Sequence, residues 1–179
     1  MTIKIHKRKR IYSGSVFNVE QVQVEFPDQK TRTYDLVNHC DSVTIVPIDD
    51  DGQLWFVRQF RVGSESALLE LPAGVVEEDE TPRACAAREV REEIGMASHL
   101  LKKIGSFYLA PGYCTEINHI FLARGLSPSP LSSDEDEFLE VECIPTEKAY
   151  QMARDGTIKD GKSIAALLLA KPYIKTYCI

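Results

Sequence analysis

The stretch from Gly74 to Met96, GVVEEDETPRACAAREVREEIGM, leaves the chain little conformational choice. Thr81 before Pro82 opens a helix, because a hydroxyl cap precedes a residue whose ring fixes φ at the first helical position. Gly95 suits a left-handed C-terminal cap, so the predicted helix runs from about Pro82 to Ile94. At 100° per residue, Glu89, Glu92 and Glu93 fall within an arc of about 100°. Ala87, Val90 and Ile94 lie on another face, which can pack against a sheet. Like charges at this spacing cost roughly 0.2–0.5 kcal/mol per pair, and Arg88 can offset part of that through Glu92. Spacing alone leaves two readings open. The acids are a solvated face, the usual fate of glutamate, or they are oxygen ligands for a hard cation such as Mg²⁺ or Mn²⁺.

Around this helix the chain reads as strands and helices without regular alternation, which fits α+β better than a doubly wound fold. Val16 to Glu25 alternates apolar and polar residues, and PDQK can turn it into a second extended run, Thr31 to Leu36. Ser42 to Pro47 and Leu54 to Gln59 flank the acidic turn DDDG, a hairpin signal. Leu68 to Leu71 is a short strand. Further strands are predicted near Leu101 to Leu109, Ile117 to Ala123 and Phe138 to Cys143. Helices are predicted near Thr146 to Asp155 and Gly161 to Ala170.

With 179 residues the chain can bury a core as one domain, with room for an N-terminal appendage. Its net charge of -6 argues against nucleic acid and acidic membrane surfaces as general partners. A bound metal or a few arginines can still reverse the field locally for a small anion. The basic start, MTIKIHKRKR, is followed by no apolar stretch, so it reads as neither secretory signal nor membrane anchor. The 5 cysteines are scattered without a CxxC pair, which points to reduced thiols in a cytoplasmic protein. His39 and the cysteines read as packing residues.

The pattern G-x5-E-x7-R-E-U-x-E-E-x-G-U, with U a bulky aliphatic residue, is met by Gly74, Glu80, Arg88, Glu89, Val90, Glu92, Glu93, Gly95 and Met96. Its seven fixed letters would match by chance about once in a million chains of this length. This is the Nudix box, and the chain resembles Nudix hydrolases, which use divalent cations to cleave a nucleoside diphosphate linked to another group. The resemblance implies an α/β/α sandwich around a mixed sheet, with the box as a loop-helix-loop unit. It also implies Mg²⁺ or Mn²⁺ as cofactor. Glu89 and Glu93 would be the principal ligands, Glu92 an assisting ligand within the catalytic set, and the Ala73 carbonyl a further ligand. Arg88 and Glu80 would pin the loop to the helix.

Flanking stretches resemble one branch, the ADP-ribose pyrophosphatases. They are ELPAG (70–74), VRQFR (57–61), and LAPG (109–112) followed by Glu116. Ala110 stands where that branch commonly has serine. The similarity continues through DEDEFLEV (134–141) and GKSIAALLLA (161–170), so it covers most of the chain. It implies that Arg61, Arg58, Glu70 and Glu116 bind substrate, with Arg58 expected on the same strand face as Arg61. Taken singly, strand arginines pair with surface acids just as well, and Glu70 can equally be a structural ion-pair residue. Tyr12, Phe17 and Phe26 can stack on a nucleobase, or fill the core as strand aromatics more often do.

The branch also places a catalytic glutamate in the acidic loop SSDEDEFLE (132–140), aligned first with Glu137 and second with Glu135, with Glu116 a third candidate. The implied organisation is an N-terminal β subdomain (1–40) that aids dimerisation and base binding, followed by a catalytic domain (41–179). The implied partners are a nucleoside diphosphate sugar and a second copy of the chain, with no nucleic acid and no membrane. The implied reaction converts ADP-ribose to AMP and ribose 5-phosphate. Two alternatives stay open: hydrolysis of GDP-mannose or another sugar nucleotide, and a non-catalytic sensor of such ligands.

Overall fold

The computed structural model describes residues 2–132 and 138–175. It falls into two compact units. The first takes the chain up to Asp41 together with Phe107–Ile117, and the second takes Ser42–Ser106 and the chain from Asn118 onward.

In the first unit β1 (Lys4–Ser13), β2 (Asn18–Glu25) and β3 (Thr31–Asn38) form an antiparallel sheet in that order. The β2–β3 hairpin agrees with the alternation, and its turn places Gln29 at φ 63 while Asp28 accepts the Lys30 N–H at 3.1 Å. β1 was not anticipated. Its basic residues give no apolar alternation, and every one of its side chains is exposed. Arg8 and Asn38 converge on Glu20, which is nearly buried. Tyr12 and Phe17 are 55% and 40% exposed, with ring centroids 6.4 Å apart, so the expectation that they fill a core is corrected. β3 is bridged in parallel to residues 113–115: Val37 donates to the Tyr113 carbonyl, and Thr115 donates back to that of Val37.

The second unit holds a mixed sheet in the order β7 (Ala73–Val75), β4 (Ser42–Pro47), β9 (Ile117–Pro128), β8 (Met96–Tyr108), in which β4 is antiparallel to β7 and parallel to β9. A second, antiparallel sheet runs β10 (Glu140–Pro145), β5 (Gln53–Arg61), β6 (Ser66–Glu70). Among the described residues, three α-helices complete the unit: α1 (Pro82–Glu93), α2 (Thr146–Arg154) and α3 (Gly161–Lys175).

The predicted β4–β5 hairpin is corrected. Its turn exists, with Asp49 accepting the N–H groups of Asp51 and Gln53 and the indole N–H of Trp55. Only the bridge between Ile48 and Leu54 links the two strands, however, and they then enter different sheets. β4 is buried along its whole length, as a central strand must be. Val43 and Ile45 pack with Cys85, Ala86, Val90 and Ile94 on the α1 side. The alternating residues Thr44 and Val46 face the other way, and α3 also packs on β4. The strand that abuts the Nudix-like loop is therefore held between two helices, an α/β/α arrangement. No helix among the described residues is long and apolar enough to cross a membrane.

Candidate functional site

The helix starts where its sequence dictates. Thr81 is extended and its hydroxyl accepts the Ala84 N–H at 3.2 Å, while Pro82 takes the first turn. Helical geometry ends at Glu93, with Ile94 as cap and Gly95 at φ 70. The apolar face docks on β4 and β7, which turns Glu89 and Glu93 inward until they are 7% and 5% exposed.

Burying two carboxylates is costly unless each finds partners, and each does. Glu93 accepts the Ala73 N–H through Oε2 at 3.0 Å. Glu89 sits against the backbone of Gly74, where an added Cβ would lie 1.8 Å from Oε1. Only glycine lets the strand approach so closely, which is the reason for the glycine that opens the motif. Arg88 gathers the remaining acids. One NH group reaches Glu89 at 2.7 Å and Glu92 at 2.8 Å, and the other side of the fork grips Glu80 at 3.1 Å through two donors. The Glu80 hydrogen bonds lead in holding the Arg88 guanidinium above its ordinary pKa, and Arg88 in turn holds the Glu80 carboxyl below the usual range. Burial raises the Cys85 thiol beside them, so it stays neutral.

The backbone around Ala73 is set by strand parity. Ile45 N–H donates to the Pro72 carbonyl at 2.8 Å. Alternate residues of an antiparallel pair turn their polar groups away from the partner, so the N–H and carbonyl of Ala73 both point away from β4. The N–H meets Glu93 and the carbonyl shares its direction.

Next to this loop lies a second ionic group. Glu70, at 1% exposure, is gripped by Arg61 through Nε and one NH₂, both at 2.8 Å, and is also paired with Lys162. Burial alone would raise its pKa, but the Arg61 hydrogen bonds and the Lys162 charge outweigh it and leave the carboxyl below the usual range.

The NUDIX domain family profile matches residues 38–167. The chain belongs to the Nudix family. It is 36% identical over 162 residues to an ADP-ribose pyrophosphatase of Bacillus subtilis, covering 89% of this chain and 88% of that one. It is 35% identical over 186 residues to a GDP-mannose pyrophosphatase of Yersinia enterocolitica, covering 96% and 97%. A crystal structure of an ADP compounds hydrolase superposes with a TM-score of 0.89 at 27% identity, covering 99% of this chain and 97% of the other.

Within the Nudix fold, then, Ala73, Glu89, Glu92 and Glu93 come together around one loop-helix junction. Among the described residues, no three His, Cys, Asp or Glu side chains already converge as a metal cage; the Arg88 guanidinium stands between Glu89 and Glu92. The donors still suit a hard cation: carboxylates on one helical face, beside a carbonyl turned away from its sheet.

Arg58 and Arg61 do not share a face, which corrects the expectation. Residues three apart on a strand point oppositely, and Arg58 accordingly reaches Glu142 on β10 at 2.7 Å, while Arg61 reaches Glu70. Glu116 lies in the first unit, 3.9 Å from His39 Nδ1. Glu135 and Glu137 lie outside the described residues. Of the thiols read as packing residues, Cys85 is buried but Cys40 and Cys143 are exposed. Lys162, Asp160 and Ser163 were not singled out by sequence; Lys162 and Ser163 had only their place in the GKSIAALLLA similarity, and Asp160 stands just before it.

Gly74→Ala is expected to lower kcat about 100-fold, because moving the Glu89 carboxylate by an ångström misplaces it. The same change should cost about 1–3 kcal/mol of stability as an overpacked contact. Steady-state kinetics and urea denaturation of the variant measure both, and wild-type values for the two would show that Glu89 does not lean on Gly74.

Proposed function

We propose that this chain is a metal-dependent pyrophosphohydrolase of nucleoside diphosphate sugars, acting on ADP-ribose to give AMP and ribose 5-phosphate. The observation that carries this reading is the pairing of Glu93 with Ala73 and of Glu89 with Gly74, which sets an intact Nudix box against its loop. The names of the Bacillus subtilis relative and of the superposing hydrolase support the substrate. GDP-mannose is the second reading, favoured by the Yersinia relative, which this chain matches almost end to end.

In this reading water attacks one phosphorus, a new P–O bond forms, and the bridging P–O bond breaks to release the two monophosphates. Glu89 and Glu93, with Glu92 assisting and the Ala73 carbonyl, would hold Mg²⁺ or Mn²⁺. When bound, the metal supplies charge neutralisation and a lower water pKa. Arg61 contacts the pyrophosphate, for which a planar guanidinium suits two oxygens at once. Glu116 is a further substrate residue in this reading. Glu137, or else Glu135, takes the proton of the attacking water. The absence of a disulfide among the described cysteines suits a cytoplasmic setting.

Incubation with ADP-ribose, GDP-mannose, ADP-glucose and FAD in Mg²⁺, scored by released products, tests the assignment. ADP-ribose should be cleaved fastest and excess EDTA should abolish turnover. Activity that persists in EDTA removes the metal, and a silent panel leaves a ligand sensor.

A homodimer through the N-terminal subdomain (1–40) belongs to the same proposal. Ile3, Ile5, Ile11 and Val16 are all about half exposed or more, and strand edges of this kind are commonly covered by a partner. The subdomain would also bring Tyr12 and Phe17 to the nucleobase. Light scattering at micromolar concentration should give twice the mass of one chain. A monomer would remove the dimer and the base-binding role with it.

A further inference from the structure

Lys162 is the second residue of α3, far in sequence from the Nudix box, yet its ammonium pairs with Glu70 and with Asp160 Oδ1 at 3.1 Å. Its side chain is 15% exposed and that of Glu70 is 1% exposed, so the pair sits where charges act strongly on each other. Glu70 is also the carboxylate that grips Arg61, whose side chain is 41% exposed and keeps N–H donors beyond the two bonds that Glu70 takes. Asp160 and Glu93 contribute further negative field at Arg61. Counted together, Arg61 and Lys162 balance Glu70 and Asp160. Without Lys162 the group carries one net negative charge, and Arg61 stands in front of two acids that it alone must offset.

We infer that Lys162 is a positioning residue for the diphosphate, acting through Glu70 on Arg61. It rests on the proposed pyrophosphate substrate. By neutralising the far side of Glu70 and Asp160, Lys162 leaves the outer face of the Arg61 guanidinium positive toward an incoming anion. It also fixes the carboxylate that orients that fork. Lys162 needs no contact with the ligand for this. An Arg at 162 should serve, because the charge and the donors to Glu70 are kept, whereas an apolar or amide side chain should not.

The test is calorimetric titration of the full chain with ADP in EDTA, where no turnover occurs, alongside kcat and KM with the best substrate of the panel. Lys162→Met should weaken ADP about tenfold, the scale of one unit charge removed close to a partly hydrated site. KM should rise by a similar factor while kcat changes little. Lys162→Arg should return ADP affinity to within about threefold of wild type. In an Arg61→Gln background, Lys162→Met should add almost nothing, because a residue acting through Arg61 loses its effect when Arg61 is gone. Lys162→Gln reads the same quantities if the Met variant fails to fold. Additive losses, an unchanged ADP affinity in a folded Met or Gln variant, no rescue by Arg, or a wild type that does not bind ADP would each overturn the inference. A chain that folds with neither neutral residue would make Lys162 structural and overturn it too. If ADP binding follows the pattern but the substrate panel is silent, the hydrolase reading fails and the positioning role stands.

Discussion

Replacing Glu93 by Gln should lower kcat about 10³-fold, the scale of removing one preorganised charge-stabilising group. Glu93 is the acid at which helix and loop meet, since its Oε2 accepts the Ala73 N–H. A glutamine retains a carbonyl oxygen for that hydrogen bond, so the junction persists and the thermal midpoint should stay within a few degrees of wild type. What is lost is the negative charge, which a hard cation needs from its ligand. Calorimetric titration with Mn²⁺ should therefore lose most of its heat in this variant, independently of any turnover. A variant whose kcat lies within about threefold of wild type, or whose Mn²⁺ binding is intact, would sink the assignment of Glu93 as a ligand.

The second large effect is expected at Glu137. The carboxylates of the box are engaged: Glu93 with Ala73, and Glu80, Glu89 and Glu92 with Arg88. A metal would compete with Arg88 for Glu89 and Glu92, which leaves those acids poor proton acceptors. The proton of the attacking water should go to an acid from outside the helix, and Glu137 is the acid proposed for it. Glu137→Gln should then lower kcat about 10²–10⁴-fold, the range for a lost general base, with Mn²⁺ affinity unchanged. Together the two variants separate binding of the ion from handling of the proton. If the Glu137 variant keeps near-normal kcat, the same measurement on Glu135→Gln and then Glu116→Gln locates the base.

The helix was legible because its signals are local: the Thr-Pro start, the glycine stop and the apolar stripe all act within a few residues. β4 and β5 were placed by their apolar runs, but their pairing was not. The DDDG turn speaks only for its own geometry, while β4 finds β7 and β9 through burial on both faces. β1 escaped notice because a strand of lysines and arginines is read from its partner, β2, rather than from its own pattern. The acids of the box were visible as a cluster, but which of them faces a backbone N–H and which faces Arg88 depends on how closely the loop passes the helix. The Lys162 pair was out of reach, because Glu70 was visible in ELPAG as a substrate or ion-pair residue but its partner lies 92 residues away and nothing local joins the two.

The same separation governs when the site can come into being. The loop residue Leu71 donates its N–H to the buried hydroxyl of Ser163, which Asp160 in turn holds at 2.5 Å. Leu71 lies near the middle of the chain and Ser163 on its last helix. During synthesis the strands and the box emerge first, but the segment that carries Ala73 cannot take its final path until α3 has arrived to receive that N–H. A nascent chain stopped before Gly161 should hold a folded α1 and no working site. Competence to cleave a nucleotide sugar is thus deferred until α3 has been made, and a chain stopped short of it cannot spend the cell's nucleotide sugars.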